Sequence, residues 1–265
     1  MTIPDVNIFP HATGRAAELV AKHQEPQDFV FYSGWVSDCL VFGSVSRFNS
    51  GNLQFCPFVQ RVWIALEEKG VEYQYREVNP YKKEKHFLVD INPKGLVPAV
   101  EYKGKAIYES LVICEFLEDL YPTQRPLLPT EPLMRAIVRI WIDFVSKSIV
   151  PAFQRLLQAQ DAEKQAGLRE EYFEALRKYA KEVKGPYFLG EYFSLVDVAV
   201  APWITRDYVL EEHRGFKRED VNEVWVKYAS AIEKRQSIVQ TQSVSNLPTA
   251  APIANPVLVL GKRTS

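Results

Sequence analysis

The hydrophobic pattern of this 265-residue chain changes character once, near Pro122. Before that point, segments with a period of two residues alternate with helical segments; from Glu131 to about Gln242 almost only the helical period appears. The proline-rich stretch YPTQRPLLPTEP joins the two regions. We therefore predict an α/β domain over residues 29–121 and an all-α domain over 122–242. Residues 1–28 are predicted to be a lead-in, with order beginning at Phe29, and 243–265 a flexible tail.

The first region predicts the element order β-α-β-α-β-β-α. FVFYSG (29–34) is typical of a short buried strand, and PFVQRVWIALEEKG (57–70) of a helix that starts at Pro57 and stops at Gly70. Residues 71–78 alternate as a strand does, 83–91 suit a short irregular helix, and a strand pair flanks Lys103-Gly104. A helix from Ser110 is stopped by Pro122. The inward face of the first helix is predicted to comprise Phe58, Val62, Ala65 and Leu66.

Composition excludes several classes of partner. The chain is 47% hydrophobic, and 32 basic against 33 acidic residues leave a formal charge of −1, with no basic run suited to nucleic acid. No stretch approaches the roughly 20 apolar residues of a membrane-spanning helix, and the N-terminus lacks a secretion signal. Three widely spaced cysteines fit neither a disulfide framework nor a zinc site, and the four histidines share no metal-ligand spacing. We expect a cytoplasmic protein with no metal, nucleic acid or membrane partner.

Cys56 is the candidate catalytic residue. It immediately precedes Pro57 at the mouth of a predicted helix, where unpaired N–H groups and the positive end of the helix dipole favour a thiolate. A thiol pKa lowered from about 8.5 makes such a sulfur nucleophilic at cell pH. The other interpretation is a small buried residue. Because CPFV lacks the second cysteine of CxxC, an external thiol would have to resolve the intermediate, and glutathione is the obvious candidate.

Three further motifs have mainly structural interpretations. Cys114 lies on an apolar helix face and is predicted to be core. Ser194 and Asp197 have the spacing of a capping box, whose role is folding. Glu109-Ser110 joins a strand to a helix, so it is either a cap or a grip for the ammonium and carboxylate of an amino acid.

Together, Cys56-Pro57-Phe58 with Arg61, the run Gly95-Leu96-Val97-Pro98, and Glu109-Ser110 before a helix resemble the omega class of glutathione transferases. The segments FCPFVQRVWIALEEKG, NPYKKEKHFL and FSLVDVAVAPW are similar to those of fungal members of that class. The resemblance covers about residues 29–35 and 55–242. It implies a thioredoxin-like N-terminal domain, an all-helical C-terminal domain and a homodimer.

The resemblance also implies roles for individual residues. Cys56 would form a mixed disulfide with glutathione, so the chemistry becomes thiol transfer and reduction instead of conjugation. Val97, ahead of a cis Pro98, would pair its backbone with the cysteinyl part of the tripeptide. Glu109 and Ser110 would hold the γ-glutamyl end. Phe58 would pack beside glutathione, and Lys85, or its neighbour Lys83, would meet the glycyl carboxylate. The second substrate would lie between the domains, near Trp203.

The chain departs from the family at residues 36–54. In the family the first strand runs almost directly into the active-site turn. In this chain the segment VSDCLVFGSVSRFNSGNLQ lies between them. Removing these 19 residues, or 57 nucleotides, joins FYSGW to FCPFVQR. The segment begins with a valine, whose codons start with GT, and ends with a glutamine, one of whose codons ends in AG; these are the dinucleotides expected at the two ends of an intron. We hypothesise a retained intron translated in frame, with Cys39 an accident of it; the alternative is a genuine lid over the thiol.

These observations predict a glutathione-dependent thiol transferase that acts on glutathionylated small molecules or, as a side activity, on dehydroascorbate. A different class of function is a non-catalytic binding protein for glutathione conjugates or for small hydrophobic or phenolic ligands, since 12% of the residues are aromatic. A purely structural use of the fold is a third alternative, which the Cys56-Pro57-Phe58 motif disfavours.

Overall fold

The computed structural model describes residues 12–34, 56–79 and 82–243. The predicted insertion 36–54, with Cys39, and all but the first residue of the predicted tail lie outside them. The described helices and strands are, in chain order, α1 Gly14–Lys22, β1 Phe29–Ser33, α2 Pro57–Lys69, β2 Gln74–Glu77, β3 Ala99–Tyr102, β4 Lys105–Tyr108, α3 Ser110–Leu120, α4 Pro132–Phe144, α5 Val150–Gln158, α6 Ala162–Ala180, α7 Leu195–Ile204, α8 Tyr208–Arg214, α9 Glu223–Lys234 and α10 Gln236–Gln240.

The four strands form one mixed sheet in the order β2-β1-β3-β4. β1 pairs in parallel with β2, while β3 is antiparallel to both β1 and β4. With a π-helical segment Phe87–Ile91 between β2 and β3, the order β-α-β-α-β-β-α agrees with the sequence prediction. This is the expected thioredoxin-like domain, and the helices from α4 onward form the expected all-helical domain. The boundaries at 29, 121 and 242 themselves stay predictions.

The helix α2 lies at the centre of the molecule. Pro57 occupies its first turn and Gly70, at φ 62°, ends it in the left-handed conformation, as predicted. The predicted one-sided burial is too narrow, because α2 packs against α3, α7 and α10 as well as the sheet residue Phe31. Its polar residues Gln60 and Arg61 are consequently buried, while Phe58, predicted to face inward, is only partly buried.

Ordered structure begins before Phe29, so the prediction that order begins at that residue is wrong. α1 buries Ala16 and Leu19 and packs against α10. His23, just after it, stacks on Tyr73 with ring centroids 3.8 Å apart. The Thr13 N–H donates to the Ser243 hydroxyl at 3.3 Å, which brings the two ends of the described chain close together.

One buried and one partly buried ion pair lie at the junction of the two domains. Lys69 at the end of α2 meets Glu118 of α3 at 2.8 Å, and the Glu118 carboxylate also accepts from the backbone N–H groups of Leu127 and Leu128 in the interdomain link. At the other end of the chain, Arg235 makes two hydrogen bonds of 2.6 and 2.7 Å to Glu68 of α2.

The helical domain is built around α7, every residue of which is buried. Ser194 and Asp197 form the predicted capping box at its start. The Asp197 carboxylate also accepts from the Phe188 N–H at 2.9 Å and the Tyr228 hydroxyl at 2.8 Å. None of the described helices combines the length and apolar character that crossing a bilayer requires.

Candidate active site

Cys56 is the N-cap residue of α2, the position that the sequence predicts for the reactive thiol. Its backbone is extended, and its carbonyl accepts the first helical hydrogen bond, from Gln60 N at 3.1 Å. The sulfur lies 3.9 Å from the Val97 carbonyl oxygen, within reach of a weak S–H···O hydrogen bond. Cys56 is 0% exposed.

The loop before β3 supplies the opposite wall of the site. The Val97–Pro98 peptide bond is cis, as predicted. Gly95 has φ +68°, a conformation that disfavours a side chain, and a Cβ there would stand 3.1 Å from Leu88 Cδ2. The Lys83 ammonium lies 3.6 Å from the same point, whereas Lys85 is exposed at the start of the following helical turn. Of the two lysines, Lys83 is the one that lies beside this loop.

Glu109 and Ser110 open α3, again as the sequence predicts. Glu109 has φ 75°, a left-handed value that costs a non-glycine residue about 1–3 kcal/mol and is found preferentially at functional sites. Its carboxylate, 56% exposed, accepts from the Lys94 ammonium at 2.7 Å. This hydrogen bond raises the pKa of Lys94. Ser110 is buried at the first turn of the helix.

A cationic and aromatic cluster lies where α2 meets α7. The Phe58 ring packs edge-on against Trp203, with centroids 5.3 Å apart, and the Arg61 guanidinium lies 4.5 Å from the Trp203 ring. Burial lowers the pKa of Arg61 to about 10, and nearby Cys114 and Cys56 oppose that shift. Burial also lowers the pKa of Arg206 to about 10, again opposed by neighbouring groups that include Cys56.

Sequence reasoning missed the placement of Arg61, Arg206 and Gln60. The sequence pattern indicates Arg61 only as part of the Cys56 motif, and it does not indicate Arg206. Gln60 accepts from the Arg206 guanidinium and lies 3.4 Å from the Thr241 hydroxyl, so three distant segments meet beside the thiol. Cys114 is buried as predicted, and burial raises the pKa of its thiol to about 12. Among the residues with described positions, no three His, Cys, Asp or Glu gather as a metal site requires.

Comparison with known proteins agrees with this architecture. Models of the glutathione S-transferase N-terminal and C-terminal domains match residues 55–120 and 138–235. Glutathione S-transferase omega-1 from Sus scrofa is 32% identical over 66% of this chain and 73% of its own length. The rice transferase GST1, solved in complex with glutathione, is 29% identical with a TM-score of 0.69, over 82% of this chain and 93% of that one. The chain therefore belongs to the glutathione transferase family.

Within that family the resemblance to fungal omega-class members is confirmed. The crystal structure of glutathione transferase Omega 3C from Trametes versicolor is 55% identical, with a TM-score of 0.78, over 88% of this chain and 92% of that chain.

Proposed function

We propose that this glutathione transferase is a thiol transferase in which Cys56 carries the chemistry. The observation that supports the proposal most directly is the place of Cys56 at the N-cap of α2, with its sulfur 3.9 Å from the carbonyl of Val97. A sulfur at a helix N-terminus is favoured as a thiolate, and a thiolate attacks disulfides readily.

The proposed reaction has two balanced steps. The Cys56 thiolate attacks the glutathionyl sulfur of a mixed disulfide, forms a Cys56–glutathione disulfide, and expels the other thiol as its thiolate. The thiolate of free glutathione then attacks the glutathionyl sulfur of that adduct, which gives oxidised glutathione and restores the Cys56 thiolate. The physiological role would be deglutathionylation and detoxification in the cytoplasm, with dehydroascorbate reduction as a side activity.

We infer that glutathione lies along the loop and helix start opposite Cys56. The Val97 backbone would pair with its cysteinyl part, and Glu109 and Ser110 would hold the γ-glutamyl end. Lys94 would then share the Glu109 carboxylate with the ligand's ammonium group, since it already contacts it. For the glycyl carboxylate, the position of Lys83 beside Gly95 favours it over the exposed Lys85. Phe58 is turned toward Trp203, so it would border the second substrate as well as glutathione.

A homodimer is proposed on the resemblance and on an apolar surface. Val112 of α3 and Leu133 and Ile140 of α4 are 55%, 66% and 64% exposed. The Arg139–Glu115 ion pair joins these two helices. Burial of such a face by a second copy is favourable by about 25 cal/mol per Å² of apolar surface. Light scattering should give twice the chain mass of 30.4 kDa, and a monomer at micromolar concentration would contradict the proposal.

Replacing Cys56 with serine tests the reaction. Serine is a far weaker nucleophile at neutral pH, so the variant should lose reduction of a glutathione mixed disulfide by at least about 100-fold while keeping its far-UV circular dichroism. Cys114→Ala is the matched control, because its buried thiol should not contribute to turnover. After exposure to oxidised glutathione, mass spectrometry should locate one adduct at Cys56.

Unchanged turnover in Cys56→Ser, or an adduct only at another cysteine, would contradict the mechanism. Saturable glutathione-dependent binding of an apolar dye without any thiol transfer would instead support the binding-protein alternative.

A further inference from the structure

Arg61 is a fully buried cation at the domain interface. Arg61 as a whole is 2% exposed, and its guanidinium lies 4.5 Å from the centre of the Trp203 ring and 5.4 Å from that of the Phe58 ring. Its Nε donates to the carbonyl oxygen of Ala199 in α7 at 2.9 Å. Both aromatic rings and this carbonyl fix the guanidinium, but none of them carries a negative charge.

The guanidinium is not fully satisfied by these contacts. Its Nη2 atom is buried and meets no hydrogen-bond acceptor among the described residues. A buried donor without a partner costs about 1–3 kcal/mol, and more when it is charged. The buried Lys69 differs, because a carboxylate lies 2.8 Å from its ammonium group. Likewise, Arg218 and Arg235 meet carboxylates, whereas Arg61 forms no ion pair with any described carboxylate.

The Arg61 guanidinium reaches back along α2 to the Phe58 ring, two residues after Cys56. Among the described residues, the groups near it that can become anionic are two thiols, Cys114 and Cys56. The Cys114 sulfur donates to the Arg61 carbonyl oxygen at 3.8 Å, and burial raises the pKa of its thiol to about 12. At the pH of a cell Cys114 is therefore neutral and cannot balance the guanidinium. Cys56, at the N-terminus of the same helix, is the remaining thiol.

We propose that the buried guanidinium of Arg61 is the counter-ion of the Cys56 thiolate. Arg61 is a positioning residue under this proposal, which rests on the thiol-transfer function proposed above. A second cation that interacts electrostatically with Cys56, Arg206, donates to Gln60 and to the Pro202 carbonyl. Because Ala199 and Trp203 hold the guanidinium, packing of the helical domain against α2 maintains the charge that keeps the sulfur reactive. Under this proposal, the N-terminus of α2 alone is not enough to keep Cys56 ionised.

The test is the pH dependence of alkylation at Cys56, followed by peptide mass spectrometry with iodoacetamide. The midpoint of this profile reports ionisation of the sulfur, whereas its plateau reports access to it, so burial of Cys56 does not obscure the result. An opposite charge nearby lowers a pKa by about 1–3 units. We therefore expect Arg61→Met and Arg61→Gln to raise the midpoint by at least about 1 unit, and Arg61→Lys to restore most of the difference.

The matched control is Arg155→Met, the same change at an arginine that pairs with Glu171 on the surface. It should leave the midpoint where it is in the wild-type protein. If Arg61→Met does not fold, the polar variant Arg61→Gln decides. A rise of about 1 unit or more supports the proposal, and a midpoint within about half a unit of the wild-type value overturns it.

The outcomes separate this proposal from the function on which it rests. A wild-type midpoint near the ordinary thiol value of about 8.5 would remove the thiolate and with it the proposed function. A lowered wild-type midpoint that Arg61→Met leaves unchanged would overturn only the role of Arg61. Lost turnover with an unmoved midpoint would likewise assign Arg61 to domain packing.

Discussion

Replacing Asp197 with alanine should destabilise the protein by about 3–4 kcal/mol. The carboxylate accepts four hydrogen bonds, from Ser194 N at 2.7 Å, Ser194 Oγ at 2.8 Å, Phe188 N at 2.9 Å and Tyr228 OH at 2.8 Å. The two hydroxyls can turn to other acceptors, as Tyr228 already lies 2.8 Å from the Tyr179 hydroxyl. The two backbone N–H groups cannot turn, and each costs about 1–3 kcal/mol when it is buried without an acceptor.

Burial of the charge itself offsets part of this loss. Burial raises the pKa of Asp197, and the hydrogen bonds from Phe188, Ser194 and Tyr228 oppose that rise. Removing the carboxylate therefore recovers some desolvation energy, which places the expected cost near the middle of the range given by the two N–H groups. A loss of this size is a large share of the 5–15 kcal/mol that stabilises a typical domain.

Urea unfolding followed by far-UV circular dichroism measures this cost. Ser194→Ala and Tyr228→Phe, each removing one hydroxyl, should cost about 1 kcal/mol apiece. Asp197→Asn keeps the shape of the side chain, but its amide NH2 group would face N–H groups that are themselves donors. We expect this variant to lose about 2 kcal/mol of unfolding free energy. It also serves if the alanine variant does not fold. An alanine variant no less stable than Ser194→Ala would refute the view that the carboxylate is needed for its two backbone donors.

Two further predictions concern the junctions around α2. Glu118→Ala should cost about 3–5 kcal/mol in urea unfolding, because it leaves the buried Lys69 ammonium unpaired; Glu115→Ala, on the exposed face of the same helix, should cost less than about 1 kcal/mol, and equal losses would contradict this reasoning. Deleting residues 36–54 should give a folded protein whose Cys56 reacts faster with oxidised glutathione, since Gly34 and Cys56 both lie beside Val97. Slower reaction or loss of folding would argue for a genuine structural segment, and transcripts that all retain these codons would exclude the intron hypothesis.

The geometry at Gly34 explains why that deletion should be tolerated. A Cβ added to Gly34 would stand 3.0 Å from the Val78 carbonyl oxygen and 3.2 Å from Val97 Cγ2. On the other side, Cys56 lies 3.9 Å from the Val97 oxygen. In the shortened chain Trp35 and Phe55 would bridge the gap, and two residues reach up to about 11 Å between flanking Cα atoms.

Local signals in the sequence were sufficient for much of this fold. Pro57 and Gly70 mark the ends of α2 because each acts through its own backbone, and the capping box of α7 acts over four consecutive residues. The change of hydrophobic period likewise separates a mixed sheet from a helical domain, since each period follows from one type of element.

What the sequence did not reveal depends on contacts between distant segments. α1 has only two buried positions, Ala16 and Leu19, so its pattern is too short to recognise before α10 packs against it. The charge of Arg61 gives no reason in the sequence to bury it, and in the structure its guanidinium contacts Trp203 and Ala199 of the other domain. The same is true of the site. The residues next to Cys56 in the sequence predict its role, but they do not predict that Arg61 and Arg206 lie around it.

The hydrogen bond between Thr13 and Ser243 has a practical consequence for engineering. Removing residues 1–12 and 244–265 would make Thr13 and Ser243 adjacent ends that a short peptide can join, and proteins with adjacent ends commonly tolerate circular permutation. New ends opened between Gly34 and Cys56 would then place a fused reporter at the mouth of the thiol site while every described helix and strand stays whole.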